Sequence, residues 1–232
     1  MEKIEEISAF FPAYNEEENI EKTVKAAQKF LSQNARKYEI IIVDDGSTDK
    51  TGKIADRLAK KDSHIRAIHH FPNKGYGEAL KSGFYNAKYS WIVTTDSDGQ
   101  FDFSELKKLW RKSKEADVVI GYRLGRKDPF IRKLFGFGWT FLNNLLFGLA
   151  LRDIDCSFKL VKREVIQAIP RLQSTRGGMI SPELLAKAHK KGFRIAEVGV
   201  HHYPRFAGKQ TGANLKVIFK SFVDLFRLWR SL

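Results

Sequence analysis

Sulfur and proline are scarce in this chain. Its 232 residues include one cysteine, Cys156, two methionines and six prolines. A lone cysteine excludes an intramolecular disulfide framework and a multi-cysteine zinc site, and two methionines cannot build a Met-rich groove. Acid is outnumbered by base, 27 Asp and Glu against 41 Lys and Arg, leaving a formal charge of +14. That excess points to an anionic partner: nucleic acid, an acidic membrane surface or a phosphate-bearing substrate. No linker rich in Pro, Gly or Ser, no internal repeat and no low-complexity tract interrupts the chain. The first residues, MEKIEEISAFF, are acidic and amphipathic and lack the basic-then-apolar order of a signal peptide. The fingerprints GxGxxG and GxxxxGK[ST] are absent, against a nicotinamide dehydrogenase or a P-loop NTPase. One long uncharged stretch exists, LFGFGWTFLNNLLFGLAL at 134–151, diluted by glycines, Thr140 and the pair Asn143 and Asn144, and bracketed by Arg132, Lys133 and Arg152. A helix in the interfacial plane is expected there rather than one crossing a bilayer.

What is present is alternation. Apolar runs at 7–14, 38–45, 64–71, 91–95 and 116–123 read as strands, and the segments between them carry helical spacing, as in Ile20, Val24, Ala27 and Leu31. Such alternation predicts an α/β fold, a mostly parallel sheet with helices on both faces and ligands beyond the carboxyl ends of the strands. After Arg123 the pattern breaks. The remainder contains a short segment DIDCSFKLV, helices near 163–169 and 182–191, a strand FRIAEVGVHHY and a basic, aromatic C-terminal helix. One domain is expected over 1–232, with a first half at 1–123, an elaborated second half at 124–212 and the amphipathic helix at 213–232.

The acids fall where the strands end. Asp96 and Asp98 in TTDSDGQ can turn towards one point if the backbone bends at Gly99, and two hard oxygen ligands suit Mg²⁺ or Mn²⁺ shared with substrate phosphates. A lone Asp-x-Asp is equally a polar turn capping the next helix. Asp44 and Asp45 in VDDGSTD close a neighbouring strand; a carboxylate there can accept from a ribose or a base N–H, or Asp45, Ser47 or Asp49 can cap the following helix. Tyr14 and Glu16, after Pro12, end the first strand in the same way, placed to face a nucleobase or to favour the helix N-terminus.

Jointly, FPAYNEEENI, VDDGSTDKT, NKGYGEAL, TTDSDGQFD and IGYR, in this order, resemble the family 2 inverting glycosyltransferases of the GT-A fold. Within that family the likeness is to dolichol-phosphate mannosyltransferases and related polyprenyl-phosphate glycosyltransferases, over roughly residues 7–210. The resemblance implies a nucleotide-sugar donor, GDP- or UDP-hexose, whose diphosphate is bridged by a divalent metal on Asp96 and Asp98, with Gln100 as a further metal position. It implies a nucleoside and diphosphate pocket from Pro12, Tyr14, Glu16, Val43, Asp44, Asp45, Lys74, Asp96 and Ser97. Arg123 is implied to contact the phosphate of a lipid acceptor, and Arg132 is a second candidate.

RDIDCSFKL is similar to the family's Asp-x-x-Cys-Gly-Phe-Lys segment, with Ser157 in place of glycine, which points Asp153 at the site and leaves Asp155 as an alternative. Glu183 matches a glutamate at the head of a helix. Arg205, Gly208 and Lys209 match a phosphate-binding loop whose Ser-Lys part is not preserved. His201 and His202 beside it read as structural.

The expected reaction is an in-line displacement at the anomeric carbon, with the metal, Arg205 and Lys209 stabilising the departing diphosphate. Asp98, Arg123 and Asp153 form the expected catalytic set. A phosphate acceptor needs no strong base, whereas a hydroxyl acceptor would need Asp153 to take its proton. The C-terminal helix intersperses Val217, Phe219, Phe222, Phe226 and Trp229 with Lys216, Lys220, Arg227 and Arg230, which suits an anionic membrane surface or packing against protein. The expectation is a peripheral protein on the cytoplasmic face of a membrane, with a membrane-anchoring subunit as a candidate partner. A nucleic-acid-binding module is the rival reading; the positive residues are scattered and no binding motif accompanies them.

Overall fold

The computed structural model describes residues 2–125, 130–175, 177–205 and 215–232, with the side chains of 130–132, 177 and 215–220 outside that description. The first half runs β1 (Ile4–Ala13), α1 (Ile20–Asn34), β2 (Ala35–Asp44), α2 (Thr51–Lys61), β3 (Ile65–His69), α3 (Tyr76–Asn86), β4 (Trp91–Thr94), a 3-10 turn at Phe103–Glu105, α4 (Leu106–Lys112) and β5 (Val118–Leu124). The second half adds α5 (Phe130–Phe147), β6 (Lys159–Lys162), α6 (Arg163–Ala168), α7 (Gly177–Lys190), β7 (Ile195–His201) and α8 (Leu215–Ser231). Seven strands form one sheet in the order β3-β2-β1-β4-β6-β5-β7.

This order decides where a ligand can sit. From β1 through β2 to β3 the chain steps one way, and right-handed crossovers put α1 and α2 on one face. It then returns past β1 to β4, so α3 lies on the opposite face. The contacts agree: α1 packs on α2 and on the 3-10 turn, while α3 packs on α6 and α7. Crossovers leaving in opposite directions open the sheet between the carboxyl ends of β1 and β4, the topological switch point.

The core follows from the strand sequences. Ile40, Ile41, Ile42 and Val43 are fully buried because helices cover both faces of β2, each side chain contributing roughly 1.5–3 kcal/mol. Phe10 on β1 meets Phe84 of α3 edge to face at 4.9 Å. Gly83 lets them meet, since a Cβ there would lie 2.2 Å from the Phe10 ring.

Three local expectations shift. The acidic start is already strand, β1 beginning at Ile4 with Ile4 and Ile7 buried. DIDCSFKLV ends in β6, which lies antiparallel to both β4 and β5 and so reverses an otherwise parallel sheet. The helix expected from Pro182 begins at Gly177 and carries Pro182 inside it; proline is favoured in a first turn, and here the helix accommodates it further along.

Two outcomes follow from this packing. Gly83→Val adds volume against a fully buried ring with little gain in helix propensity, so unfolding titrations should show a loss of about 2–3 kcal/mol. His69, at the end of β3, lies between Asp44 (2.9 Å) and Asp56 (3.1 Å). Burial lowers its pKa, but hydrogen bonds to the two carboxylates outweigh this and hold it above the ordinary value. The folded chain therefore binds the proton more tightly; the stabilisation is complete below the unfolded value of about 6.5 and is lost as pH rises through the folded one. With the side chain 40% exposed, screening keeps the effect under about 1 kcal/mol. Urea unfolding should find His69→Asn less stable than wild type at about pH 5, with the gap narrowing by about pH 8.5.

Candidate active site

The loops after β1 and β2 are knitted into one wall of the rim. Asn15 adopts a left-handed backbone (φ 54°), a conformation asparagine tolerates. Its side-chain oxygen accepts from Thr48 N at 2.9 Å, and its own N–H donates to Ser47 Oγ at 2.9 Å. Glu16 N donates to Thr51 Oγ1 at 2.8 Å and Glu17 N to Asp49 Oδ2 at 3.2 Å. On the β4 side, Ser97 Oγ donates to Pro12 O at 2.8 Å, and Ser97 O accepts from Thr23 Oγ1. Ser97 is thus an internal brace across the switch point. Pro12 and Val43 are buried in the sheet, so a ligand would meet them through backbone, whereas Tyr14 is 46% exposed at the rim.

Asp96 and Asp98 follow β4 with Gly99 at φ 76° between Asp98 and Gln100. Asp96 Oδ1 accepts from Tyr76 Oη at 2.7 Å; burial, then the Asp96 charge, pushes the Tyr76 hydroxyl well above its ordinary pKa, so it stays a donor. Asp98 Oδ1 accepts from Gln100 N at 3.1 Å, and Oδ2 lies 4.0 Å from the Arg205 guanidinium. Burial first, then the charges of Asp96 and Glu16, push Asp98 up to about 7, against the pull of Gln100 N and Arg205. Arg205 also pairs with Glu16, whose other oxygen accepts from Asn19 Nδ2 at 2.7 Å. The segment after β7 is fastened here through Gln100: Tyr203 N donates to Gln100 O at 2.9 Å, and Gln100 Nε2 to Tyr203 O at 3.1 Å. Residues from four loops therefore converge on the two acids.

The Asp44–Asp45 pair sits beside them, each carboxylate already engaged by the chain itself. Asp45 accepts from four groups of its own chain: His70 Nδ1 at 2.6 Å, Lys74 N at 3.0 Å, Asn73 Nδ2 at 2.9 Å and Gly75 N at 2.8 Å. A carboxylate so occupied frames the 73–75 loop and holds it at the rim. Asp44 accepts from Ser47 N and meets His69. Capping falls to Asp49, whose Oδ1 accepts Thr51 N at 2.8 Å at the start of α2. Lys74 is exposed at the rim.

Arg123 and Asp153 are partners. Arg123 Nε and Nη2 donate to the two Asp153 oxygens at 2.7 and 2.8 Å, and Arg123 N adds a third contact at 3.2 Å. This bidentate pair uses two of five guanidinium donors and leaves three for a ligand. Both Asp153 oxygens are thus engaged by Arg123, and the pairing fixes the direction of the guanidinium. Its loop is held by Glu197 of β7, which accepts from Arg152 N and Asp153 N. Asp155 is pushed up to about 6 by burial, eased by Arg123 and by a hydrogen bond from Trp139 of α5. Lys159 is buried with Nζ donating to Cys156 O, and burial lowers its pKa against the attraction of surrounding acids. Burial pushes the Cys156 thiol up to about 12, leaving it inert.

Lys209, Gly208, Arg126 and Lys127 lie outside the described residues; Arg132 belongs to α5, and its side chain lies outside them too. His201 bonds Glu105 at 2.7 Å and His202 packs on Phe101, both structural. Glu183 is buried inside α7 rather than at its head. Sequence reading missed His70, Tyr76, Lys159 and Glu197. Tyr76 alone had a local signal, a bulky residue held between two glycines of one motif.

Comparison with known proteins fits this geometry. The family model for "Glycosyl transferase family 2" matches residues 8–169. A dolichyl-phosphate beta-glucosyltransferase of Trichomonas vaginalis is 29% identical over 96% of this chain and 72% of its own length. Another of Dictyostelium discoideum is 33% identical, covering 84% and 65%. An undecaprenyl-phosphate 4-deoxy-4-formamido-L-arabinose transferase of Proteus mirabilis is 31% identical, covering 94% and 66%. The chain thus spans about two thirds of the length of the last two. Among solved structures, glucosyl-3-phosphoglycerate synthase from Mycobacterium tuberculosis, in complex with Mn²⁺, uridine diphosphate and phosphoglyceric acid, superposes with a TM-score of 0.72 at 19% identity, covering 98% of this chain and 78% of that one. With the family model covering more than half of its length and an acid pair at the switch point of a GT-A sheet, the chain belongs to glycosyl transferase family 2.

Proposed function

We propose that this protein transfers a hexose from a nucleoside-diphosphate sugar to a polyprenyl phosphate at a membrane surface, with inversion at the anomeric carbon. The observation that carries the reading is the convergence of Asp96, Asp98, Gln100, Glu16 and Arg205 at the switch point, beside a bidentate Arg123–Asp153 pair. The names of the relatives support a polyprenyl-phosphate acceptor and favour a glucosyl over a mannosyl donor.

The acids fit a divalent cation, Mg²⁺ or Mn²⁺. Two carboxylates one residue apart repel each other, and among the described residues no group of three or more His, Cys, Asp or Glu closes into a cage. Asp96 and Asp98, with the Gln100 amide, would hold the ion while diphosphate oxygens complete its shell; bound there, it would neutralise charge on the leaving diphosphate. Arg205 sits across from Asp98 and supplies a fixed positive charge to the same leaving group. The acceptor phosphate is already ionised near neutral pH, so no residue has to remove its proton. Arg123 orients it with the donors that Asp153 leaves free. An acceptor oxygen then attacks the anomeric carbon from the face opposite the diphosphate, and the breaking C–O bond leaves its electron pair on the nucleoside diphosphate.

Membrane contact is assigned to α5 and α8. Leu134, Phe137, Phe141 and Leu145 form one outward stripe on α5, each more than half exposed. On α8, Phe222 packs on Trp139 at 5.4 Å and Leu225 is buried, while Val223, Phe226 and Trp229 face outward. Among the described residues, no helix is long and apolar enough to cross a membrane.

Calorimetric titration with UDP and GDP should give nucleotide affinity that depends on Mn²⁺, and the preferred nucleotide identifies the donor class; binding to generic DNA with no response to Mn²⁺ would instead favour the nucleic-acid reading. Asp98→Asn should lower turnover on the order of 10²–10³-fold. For the acceptor, Arg123→Lys keeps the charge but loses the fork, so the KM for a short polyprenyl phosphate should rise roughly 10–100-fold with donor affinity unchanged. Asp153→Asn should be the milder change, because it loosens Arg123 without removing a base. Near-total loss of turnover with normal donor binding in that variant would indicate a hydroxyl acceptor.

A further inference from the structure

The N-terminus of α3 is held in an unusual way. Its N-cap is Gly75 at φ 95°, with no side-chain cap. The early N–H of Gly77 is satisfied instead by Thr175 O at 3.0 Å, from the strap that joins α6 to α7. The fit is close: a Cβ on Gly77 would lie 2.6 Å from Thr175 C and O and 2.7 Å from Ser174 O, and one on Gly75 would lie 3.2 Å from Thr175 O. On the opposite side Asp45 accepts from Lys74 N and Gly75 N. Tyr76 stands between the two glycines, and its hydroxyl reaches Asp96 Oδ1 at 2.7 Å.

The strap is itself tied to a buried ion pair. Glu183, 1% exposed, accepts from Gln173 N and Ser174 N, each at 2.7 Å, and pairs with Lys187 Nζ at 2.6 Å. Lys187 directs its other donors to Pro170 O at 3.2 Å and Arg171 O at 2.8 Å. A buried pair costs desolvation that only complete hydrogen bonding offsets, and here the three ammonium protons have three acceptors. A network satisfied to this degree fixes the backbone it touches.

We infer that Tyr76 is a positioning residue for Asp96, and that Glu183 and Lys187 act on the reaction at a distance by seating the strap against Gly75 and Gly77, which aims the Tyr76 hydroxyl. One Asp96 oxygen is pinned by the phenol, which restricts rotation of the carboxylate and would leave its other oxygen to hold the ion. The inference rests on the proposed metal-dependent transferase reading. Outer groups that orient ligating carboxylates affect metal affinity strongly.

The test is direct Mn²⁺ binding, followed by the loss of the free-ion paramagnetic resonance signal in the presence of UDP or GDP, on protein shown to be folded by circular dichroism. Tyr76→Phe keeps the ring and removes the donor; the Mn²⁺ dissociation constant should rise about tenfold. Gly77→Ala retains the hydroxyl but displaces the strap, and should shift the constant in the same direction; it also carries the test should Tyr76→Phe fail to fold. Wild-type protein that binds Mn²⁺ together with Tyr76→Phe within twofold of it would overturn the inference and leave the proposed function standing. Absence of nucleotide-dependent Mn²⁺ binding in the wild type would overturn both.

Discussion

Like charges crowded at one rim of the sheet set the terms for the rest of the structure. Glu16, Asp44, Asp45, Asp98 and Asp153 are each less than a tenth exposed. A buried carboxylate without partners costs several kcal/mol, so each must be matched by donors. Asp45 has four, Asp153 has the Arg123 fork, Asp44 has Ser47 N and His69, and Glu16 has Arg205 and Asn19. Asp98 is the least matched, with one backbone N–H and a guanidinium 4.0 Å away. It is also the acid that burial and its neighbours push up to about 7. The fold thus neutralises the frame of the site and leaves a deficit of positive charge at one point, next to Asp96.

This division separates residues that build the site from residues with capacity left for a ligand. The VDDGSTD motif looks uniform, yet its acids diverge: Asp44 ties the end of β3, Asp45 shapes the 73–75 loop, and Asp49 starts α2 while reaching Glu17 N. None leaves a carboxylate wholly free. The converse holds for Arg123, whose engagement with Asp153 keeps most of its donors and fixes their direction. Orienting an arginine by a carboxylate behind it suits a site that must hold one anion close to another, because the guanidinium is in place before the second anion arrives.

The first half of the fold was legible because period and chemistry agreed there. β-branched runs closed on acids, helical spacing lay between them, and right-handed crossovers did the rest. The second half was less so. β6 has four residues and runs against its neighbours, a length at which an apolar run carries no directional information. α7 contains a proline that local rules place at a helix start. In the site, the acids after β4 stood out by residue type and by their place at a strand end, whereas Arg123 came forward only through the family resemblance. The partners of Asp45 were not, since His70, Asn73 and Gly75 reach it only after β3 has paired with β2. Tyr76 had only a faint signal, the glycines on either side of it, and the strap that fits against those glycines comes from a segment about a hundred residues later.

Helix α5 joins the two demands that a long lipid phosphate would make on a protein. Its inner side carries Trp139, packed against the core and near Asp155, beside the Arg123–Asp153 pair. Its outer side carries Leu134, Phe137, Phe141 and Leu145 into solvent. A nucleic-acid surface would need cations along such a stripe, and these positions are apolar despite a chain charge of +14. Asn143 and Asn144 do not polarise that face: Asn143 is buried and bonds Trp139 O, and Asn144 closes the helix end against Leu151. The polar residues that keep the segment from reading as a membrane span are therefore turned inward, where they fasten it. A hydrocarbon chain or bilayer edge could lie along the outer stripe while its phosphate reached the arginine within, and one helix would set the distance between them.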